Sequence, residues 1–143
     1  MKNLFLLRHG HSDNSAQGDF ERILNEEGIR KCKIVGEILQ NYEIDKIYSS
    51  DSVRTKQTVE SVLPFLKEEI EVVYLSSLYR CSGEELFEFI QEYSEKNILL
   101  VNHNPAISEL AILINGSNDE IDKGFSPGSL ALFQNNKLVS FWR

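Results

Sequence analysis

Two spacings of apolar residues alternate along the chain and predict alternating strands and helices. Short apolar runs predict strands over residues 3–7, 46–49, 72–75 and 98–102. Each run is apolar along most of its length, which is typical of strands buried on both faces of a parallel sheet. Two further runs, 129–134 and 137–142, flank the turn signal Asn135-Asn136 and predict a C-terminal hairpin.

Four helices are predicted between these strands, because apolar residues there recur three and four positions apart. The four apolar faces are Cys32, Val35, Leu39 and Tyr42; Val59, Val62, Leu63 and Leu66; Leu86, Phe89, Ile90 and Tyr93; and Ile107, Leu110, Ala111 and Ile114. Pro64 should kink the second helix or end it early, since proline lacks the N–H of the helix ladder. The polar segment 116–124 is predicted to be a loop. The pattern indicates a three-layer α/β sandwich, a mostly parallel sheet with helices on both faces.

Composition limits the classes of protein that this chain can represent. Its 143 residues, 41% hydrophobic and 26% charged, fit one domain over 1–143. Cys32 and Cys81 are far apart and form no C-x-x-C motif, so neither a zinc knuckle nor a disulfide framework is expected. We therefore expect a reducing, cytoplasmic setting. The apolar run 4–7 is too short for a membrane span. A net charge of -7 disfavours a nucleic-acid partner.

Two of the three histidines directly follow predicted strands. His9 follows the first strand and His103 the fourth, and in an open α/β sheet ligands gather beyond the carboxyl ends of the strands. Gly10 allows a tight turn and close approach of a ligand to the backbone. Asn104 is predicted to cap the next helix with Pro105 at its first position, so that helix N–H groups would favour an anion.

A third segment of this kind, residues 49–54, follows the second strand. Asp51 or Ser52 should cap the next helix and would place Arg54 in its first turn. A cation is unfavourable there because the helix dipole is positive at that end, so Arg54 is expected to have a functional role. Arg8 adds a planar guanidinium that can hold an oxyanion through two hydrogen bonds. The sequence therefore predicts an anion site.

The same segments resemble a known family when they are taken in order. Arg8-His9-Gly10, then Ser49-Ser50 with Arg54, Gln57 and Thr58, then His103-Asn104-Pro105, look like the histidine phosphatase superfamily, which includes the phosphoglycerate mutases. Residues 19–22 with Leu24 and Gly28 are similar to its short, SixA-like phosphohistidine phosphatase branch. The resemblance implies a phosphoglycerate mutase-like fold and a phosphatase.

By this resemblance His9 is the nucleophile and forms a covalent phosphohistidine that water hydrolyses. Arg8, Arg54 and His103 would hold the oxygens of the phosphoryl group, where charge is spread in the transition state. Arg22 is a further expected phosphate contact, with Gly10 and Asn104 also at the substrate. Gln57 and Thr58 would orient Arg54 or simply cap and pack. No metal ion or other cofactor is expected.

The general acid of this chemistry is the least defined residue in the sequence. Glu84 and Glu85 are the candidates, although carboxylates in the first turn of a helix capped by Ser82 also have an ordinary stabilising role. Without a strong acid, a site is better suited to expelling an imidazole than an alkoxide. We therefore expect a phosphorylated protein as substrate, such as a histidine phosphotransfer domain, or a small phosphorylated metabolite.

Three alternatives remain open at this point. A metal hydrolase would use His9, His11 and His103 with Asp13 or Asp51 as fourth ligand. A non-catalytic module would bind phosphoproteins in the same pocket without turnover. A small-molecule phosphomonoesterase or a mutase of the same superfamily would use the same residues on another substrate. The role of His11 is also open: it would be either a polar loop residue or a substrate contact.

Overall fold

One six-stranded sheet organises the computed structural model, which describes residues 2–67 and 69–143. Its strands are β1 (Asn3–Arg8), β2 (Lys46–Ser50), β3 (Glu71–Leu75), β4 (Asn97–Asn102), β5 (Leu130–Gln134) and β6 (Lys137–Trp142). Every predicted strand is present, and each bound differs from the prediction by at most one residue.

The strand order is β3-β2-β4-β1-β5-β6. β1, β2, β3 and β4 run parallel, whereas β5 and β6 form the antiparallel hairpin predicted at the C-terminus. In this order β4 lies between β1 and β2, so the carboxyl ends of these three strands are neighbours. The segments that follow them therefore meet at one edge of the sheet.

In the part of the chain that the structure describes, five α-helices connect the strands: α1 (Glu26–Leu39), α2 (Val53–Val62), α3 (Gly83–Gln91), α4 (Ala106–Asn115) and α5 (Asp119–Asp122). Ser52 caps α2 by accepting from the backbone N–H of Thr55, and Ser82 forms a capping box with Glu85 at α3. The helix α2 ends before Pro64, and residues 63–65 continue as a 3-10 turn, as the proline predicts. No helix in the described residues is long and apolar enough to cross a membrane.

The polar segment 116–124 is not a plain loop, which corrects the prediction. It contains α5, whose first turn is capped by Asn118 accepting from the backbone N–H of Ile121. A helix of four residues is too short to show a periodic apolar face, so its cap is the signal that could have revealed it. Four described residues of the predicted faces lie beyond the ends of their helices but still pack against the core: Tyr42 after α1, Leu63 and Leu66 after α2, and Tyr93 after α3.

The core lies on both faces of the sheet, which gives the predicted three layers. Side chains of β1 alternate between the faces: Phe5 and Leu7 pack with α1 and α2, and Leu6 packs with α3 and α4. All three are fully buried. The burial of both faces explains why the central parallel strands β1 and β4 are apolar along most of their length.

A glycine lets α1 pack directly on the chain that follows β1. A Cβ atom at Gly28 would lie 2.2 Å from the backbone oxygen of His11, too close for any side chain. The same oxygen accepts from the backbone N–H of Asn25 at 3.0 Å. The start of α1 thereby holds the path of the chain just after His9.

Candidate active site

A pocket of about 680 Å³ lies beyond the carboxyl ends of β1, β2 and β4. Its walls carry the guanidinium groups of Arg8, Arg22, Arg54 and Arg80 and the imidazoles of His9, His11 and His103. Among the described residues Asp19 is the one carboxylate in the lining. An acidic protein thus concentrates positive charge in one place, which favours a bound anion.

His9 is held in one tautomer by its own neighbour in sequence. Its Nδ1 lies 2.7 Å from the backbone oxygen of Gly10, and because a carbonyl can only accept, Nδ1 carries the hydrogen. The lone pair is therefore on Nε2, which accepts from Nε of Arg54 at 3.2 Å. His9 is 5% exposed, so this nitrogen is shielded from bulk water while it borders the pocket.

His103 faces His9 across a short gap, with ring centroids 5.2 Å apart. Nη2 of Arg54 donates to its Nδ1 at 3.1 Å. Its Nε2 must then carry the hydrogen and donate to the hydroxyl of Ser50 at 3.0 Å. A serine that ends β2 therefore orients a histidine that follows β4.

Arg54 is buried in the first turn of α2 and joins the two imidazoles. The hydroxyl of Thr58 donates to the backbone oxygen of Arg54 at 2.8 Å and accepts from the backbone N–H of Gly10 at 3.1 Å. Thr58 thus ties α2 to the turn after β1, whereas Gln57 accepts from the backbone N–H of Leu24 at 2.8 Å. Both residues position backbone segments around the arginine.

The other two predicted arginines also reach the pocket. Arg8 donates from Nη1 to the backbone oxygen of Phe125 at 2.8 Å, and its buried Nε has no partner in the part of the chain that is described. Arg22 donates from Nε to the backbone oxygen of Asp13 at 3.2 Å and pairs with Asp19 at 3.3 Å. A tetrahedral oxyanion could accept hydrogen bonds from the remaining N–H groups of both guanidinium groups.

Burial keeps both catalytic candidates among the imidazoles neutral. It lowers the pKa of His9 to about 3, with His103, Arg54 and Arg8 adding to the shift and the bond to Gly10 opposing it. Burial also lowers the pKa of His103 to about 3, with Arg54 as the next cause. A neutral imidazole is nucleophilic, so His9 keeps an unprotonated lone pair on Nε2 throughout the neutral pH range.

These lowered pKa values predict a pH dependence of stability. Between pH 6.5 and 3 the unfolded chain protonates both histidines while the folded protein does not, so the free energy of unfolding falls as the pH falls. Each histidine contributes at most about 1.4 kcal/mol per pH unit. Urea unfolding of His9→Asn and wild type at pH 7, 6, 5 and 4 checks this: the destabilisation caused by the substitution should shrink toward low pH. Parallel stability curves would contradict it.

Two backbone predictions at the site need correction or a new explanation. Asn104 does not cap α4: Pro105 is the capping residue, and the side chain of Asn104 lines the pocket while it bonds Phe125 and Ser108. Gly10 lies outside the pocket lining, and a Cβ there would meet Sγ of Cys32 at 2.9 Å. The need for glycine at position 10 thus comes from packing against α1.

The candidate general acids are not brought to the pocket. Neither Glu84 nor Glu85 lines it, and the carboxylate of Glu85 accepts from the backbone N–H of Ser82 at 3.0 Å in the capping box. The ligand set of the metal alternative is not assembled either: among residues 2–67 and 69–143, no three His, Cys, Asp or Glu side chains are grouped to hold a metal ion.

Two residues at the pocket carry contacts that sequence reasoning did not assign. Asp19 pairs with Arg22 and also with Arg54, the latter at 3.1 Å. The hydroxyl of Tyr79 donates to the same carboxylate, and its ring packs edge-on against His103 with centroids 5.3 Å apart. Their positions in a long loop and a turn gave no periodic signal; the acidic residue three positions before Arg22 was the available hint.

Comparison with known proteins finds relatives of this chain. The family model for the histidine phosphatase superfamily (branch 1) matches residues 4–79. A probable phosphatase of Schizosaccharomyces pombe is 31% identical over 70% of this chain and 49% of its own length, so the chain spans about half of that relative. A phosphohistidine phosphatase SixA homolog of Haemophilus influenzae is 25% identical over 94% of this chain and 90% of its own.

A solved structure extends the similarity to the whole fold. The structure named for phosphohistidine phosphatase SixA of Agrobacterium tumefaciens superposes with a TM-score of 0.90 and is 27% identical. The match covers 99% of this chain and 97% of the other. Both the strand order and the helices outside residues 4–79 therefore have counterparts in a protein of nearly the same length.

Proposed function

This chain belongs to the histidine phosphatase superfamily (branch 1), and on that basis we propose that it is a phosphatase that transfers a phosphoryl group to His9 and then to water. The observation that carries the proposal is the tautomer of His9. Its Nδ1–H donates to the backbone oxygen of Gly10. Of the two ring nitrogens of His9, Nε2 therefore carries the lone pair, at the edge of the pocket.

In the first step Nε2 of His9 attacks phosphorus. The new N–P bond forms as the bond from phosphorus to the leaving group breaks, and the leaving group takes the electron pair and a proton from solvent. The guanidinium groups of Arg54 and Arg8 would hold the non-bridging oxygens, supplying positive charge where the transition state spreads negative charge.

His103 is proposed to change its role when the anion enters. In the free protein its Nδ1 accepts from Nη2 of Arg54. A phosphoryl group placed between the two imidazoles would raise the pKa of His103, so that Nδ1 takes up a proton and donates to a phosphoryl oxygen. Ser50 would keep the ring in place through Nε2 in both states.

In the second step water hydrolyses the phosphohistidine. The water oxygen bonds to phosphorus, the N–P bond breaks, and its electron pair returns to Nε2 of His9, while the protons of the water pass to solvent and phosphate. Because the pocket is open to solvent on one side, water can reach the face of phosphorus opposite the imidazole. No separate base is needed to regenerate the neutral histidine.

The acid–base character of the pocket supports phosphohistidine as the substrate class. Its one described carboxylate, Asp19, is an acceptor from Tyr79 and Arg54, and these contacts hold its pKa well below the ordinary range. Asp19 therefore has no proton to give to a leaving group. An alkoxide, whose parent alcohol has a pKa near about 15.7, needs such a proton, whereas an imidazole with a pKa of about 6.5 receives it from water.

The proposed partner is a phosphorylated protein, such as a histidine phosphotransfer domain, acting in the cytoplasm. An open pocket admits a histidine side chain presented on the surface of another protein, and the free thiols of Cys32 and Cys81 suit a reducing compartment. A small phosphorylated metabolite is the other candidate substrate and uses the same chemistry.

Purified protein should hydrolyse a phosphohistidine peptide with a kcat/KM about 100-fold or more above that for a phosphoserine peptide of the same sequence, because the described pocket lining holds no protonated carboxyl group for the alkoxide. The measurement is phosphate release under single-turnover and steady-state conditions at pH 7.5. A preference for the phosphoserine peptide would assign the protein to ester hydrolysis instead. Binding of both peptides without phosphate release would favour the non-catalytic module.

A further inference from the structure

We propose that Asp19 is a positioning residue that holds one edge of the Arg54 guanidinium and thereby aims the opposite edge at the phosphoryl group. The inference rests on the proposed function, because it assigns the phosphoryl group to the gap between His9 and His103. It gives a role to Asp19, which lies in the 19–22 segment of the resemblance and was assigned no function there.

The contacts of Arg54 divide between the two edges of its planar head group. On the outer edge, Nη1 donates to the backbone oxygen of Asp19 at 2.7 Å and Nη2 donates to its carboxylate at 3.1 Å. On the inner edge, Nε faces Nε2 of His9 and Nη2 faces Nδ1 of His103. A guanidinium is rigid, so two bonds on its outer edge set the direction of the inner one.

Asp19 is itself held from two sides of the pocket. The hydroxyl of Tyr79 donates to the oxygen that contacts Arg54, and Arg22 donates to the other carboxylate oxygen. The backbone oxygen of the next residue, Phe20, accepts from the backbone N–H of Val53 at the start of α2. The loop that carries Asp19 is therefore tied to the helix that carries Arg54.

Charge and exposure give the same role. The side chain of Arg54 is 6% exposed and that of Asp19 is 49% exposed, so Asp19 is a counter-ion at the entrance for a nearly buried cation. Since both carboxylate oxygens already accept hydrogen bonds and the carboxyl is ionised, Asp19 acts through Arg54 and not by moving protons.

The test separates turnover from binding in Asp19→Ala, with Glu21→Ala as a matched control that removes an exposed charge from the same loop. We expect kcat to fall about 30-fold in Asp19→Ala, because a misdirected guanidinium stabilises the transition state poorly. KM for the phosphohistidine peptide and the calorimetric Kd for inorganic phosphate should each rise by no more than about threefold, because loss of a carboxylate also makes the pocket more positive. Glu21→Ala should behave as wild type.

A double-substitution cycle then shows whether Asp19 acts through Arg54. In an Arg54→Ala background, Asp19→Ala should change kcat by less than about twofold, since the group it positions is absent. Asp19→Asn should retain more activity than Asp19→Ala, because the amide oxygen can still accept from Nη2. An equal loss in both backgrounds, or an unchanged kcat in Asp19→Ala, overturns the proposal.

A readout without catalysis keeps this inference separate from the proposed function. In ¹H–¹⁵N spectra of the arginine Nε–H groups, the Arg54 signal, assigned by its loss in Arg54→Lys, should be sharp in wild type and broadened or merged with exposed arginines in Asp19→Ala. If wild type hydrolyses no phosphoryl substrate, the proposed function fails, and this spectrum still decides the role of Asp19. An unchanged Arg54 signal in Asp19→Ala would refute the positioning role.

Discussion

Replacing His9 with alanine should lower kcat/KM for a phosphohistidine peptide by about 10⁴-fold or more, because we propose no other described side chain as the acceptor of the phosphoryl group. The bond from Nδ1–H of His9 to the backbone oxygen of Gly10 fixes the ring, and Arg54 contacts the lone pair of the reacting nitrogen, Nε2. In the proposed mechanism Nδ1 of His103 takes up a proton and donates to a phosphoryl oxygen while Nε2 donates to Ser50, so His103 then has no lone pair with which to replace His9.

His11→Ala is the matched control for this loss. His11 lines the same pocket two residues further along, but it is exposed and outside the cluster of His9, Arg54 and His103. We expect His11→Ala to retain kcat/KM within about tenfold of wild type. Circular dichroism and urea unfolding at pH 7.5 would verify that both variants fold. Comparable losses in the two variants would mean that the pocket as a whole, and not the nucleophile, had been damaged.

Replacing Arg54 with alanine should lower kcat by about 10³-fold, the cost of removing a preorganised donor from a developing oxyanion. Arg54 contacts both imidazoles, so its guanidinium borders the space between them. Arg54→Lys should recover only a small part of the loss, because an ammonium supplies the charge without the planar pair of donors.

Arg80→Ala removes the same charge from the rim of the pocket and is the control for Arg54. Arg80 is exposed, and its guanidinium carbon lies 5.3 Å from the ring centroid of Tyr79. Its replacement should lower kcat less than about tenfold, mainly through KM and with a strong dependence on salt. If Arg80→Ala and Arg54→Ala were equally impaired, general positive potential would explain the site and the geometry at Arg54 would not matter.

The sequence predicted the sheet well because burial on both faces leaves a clear apolar signal. β1, which carries Phe5, Leu6 and Leu7, and its neighbour β4 are mostly apolar runs. The helices that cover the sheet show one apolar face each. Since parallel strands end at one edge, the residues directly after β1, β2 and β4 could be assigned to one site. His9, Arg54 and His103 were found in this way.

The remaining parts of the site depend on contacts between segments without periodic patterns. Asp19 belongs to the long connection between β1 and α1, and Tyr79 follows a 3-10 turn, so only the folded chain shows that they meet at Arg54. Asn104 is a residue type that favours helix caps, but its side-chain amide instead donates to the backbone oxygen of Phe125 and accepts from the hydroxyl of Ser108. Local propensity predicted a cap, and tertiary hydrogen bonds determined another role.

The most direct test of the mechanism is to trap the phosphorylated protein during turnover and identify the bonded nitrogen. Wild type should be mixed with a ³²P-labelled phosphohistidine peptide, quenched in alkali within milliseconds and digested. The label should be acid-labile and should lie on Nε2 of His9, since Nδ1 donates to the backbone oxygen of Gly10. Label on His103 or on Nδ1 of His9, or no labelled protein while phosphate is being released, would contradict the proposed nucleophile.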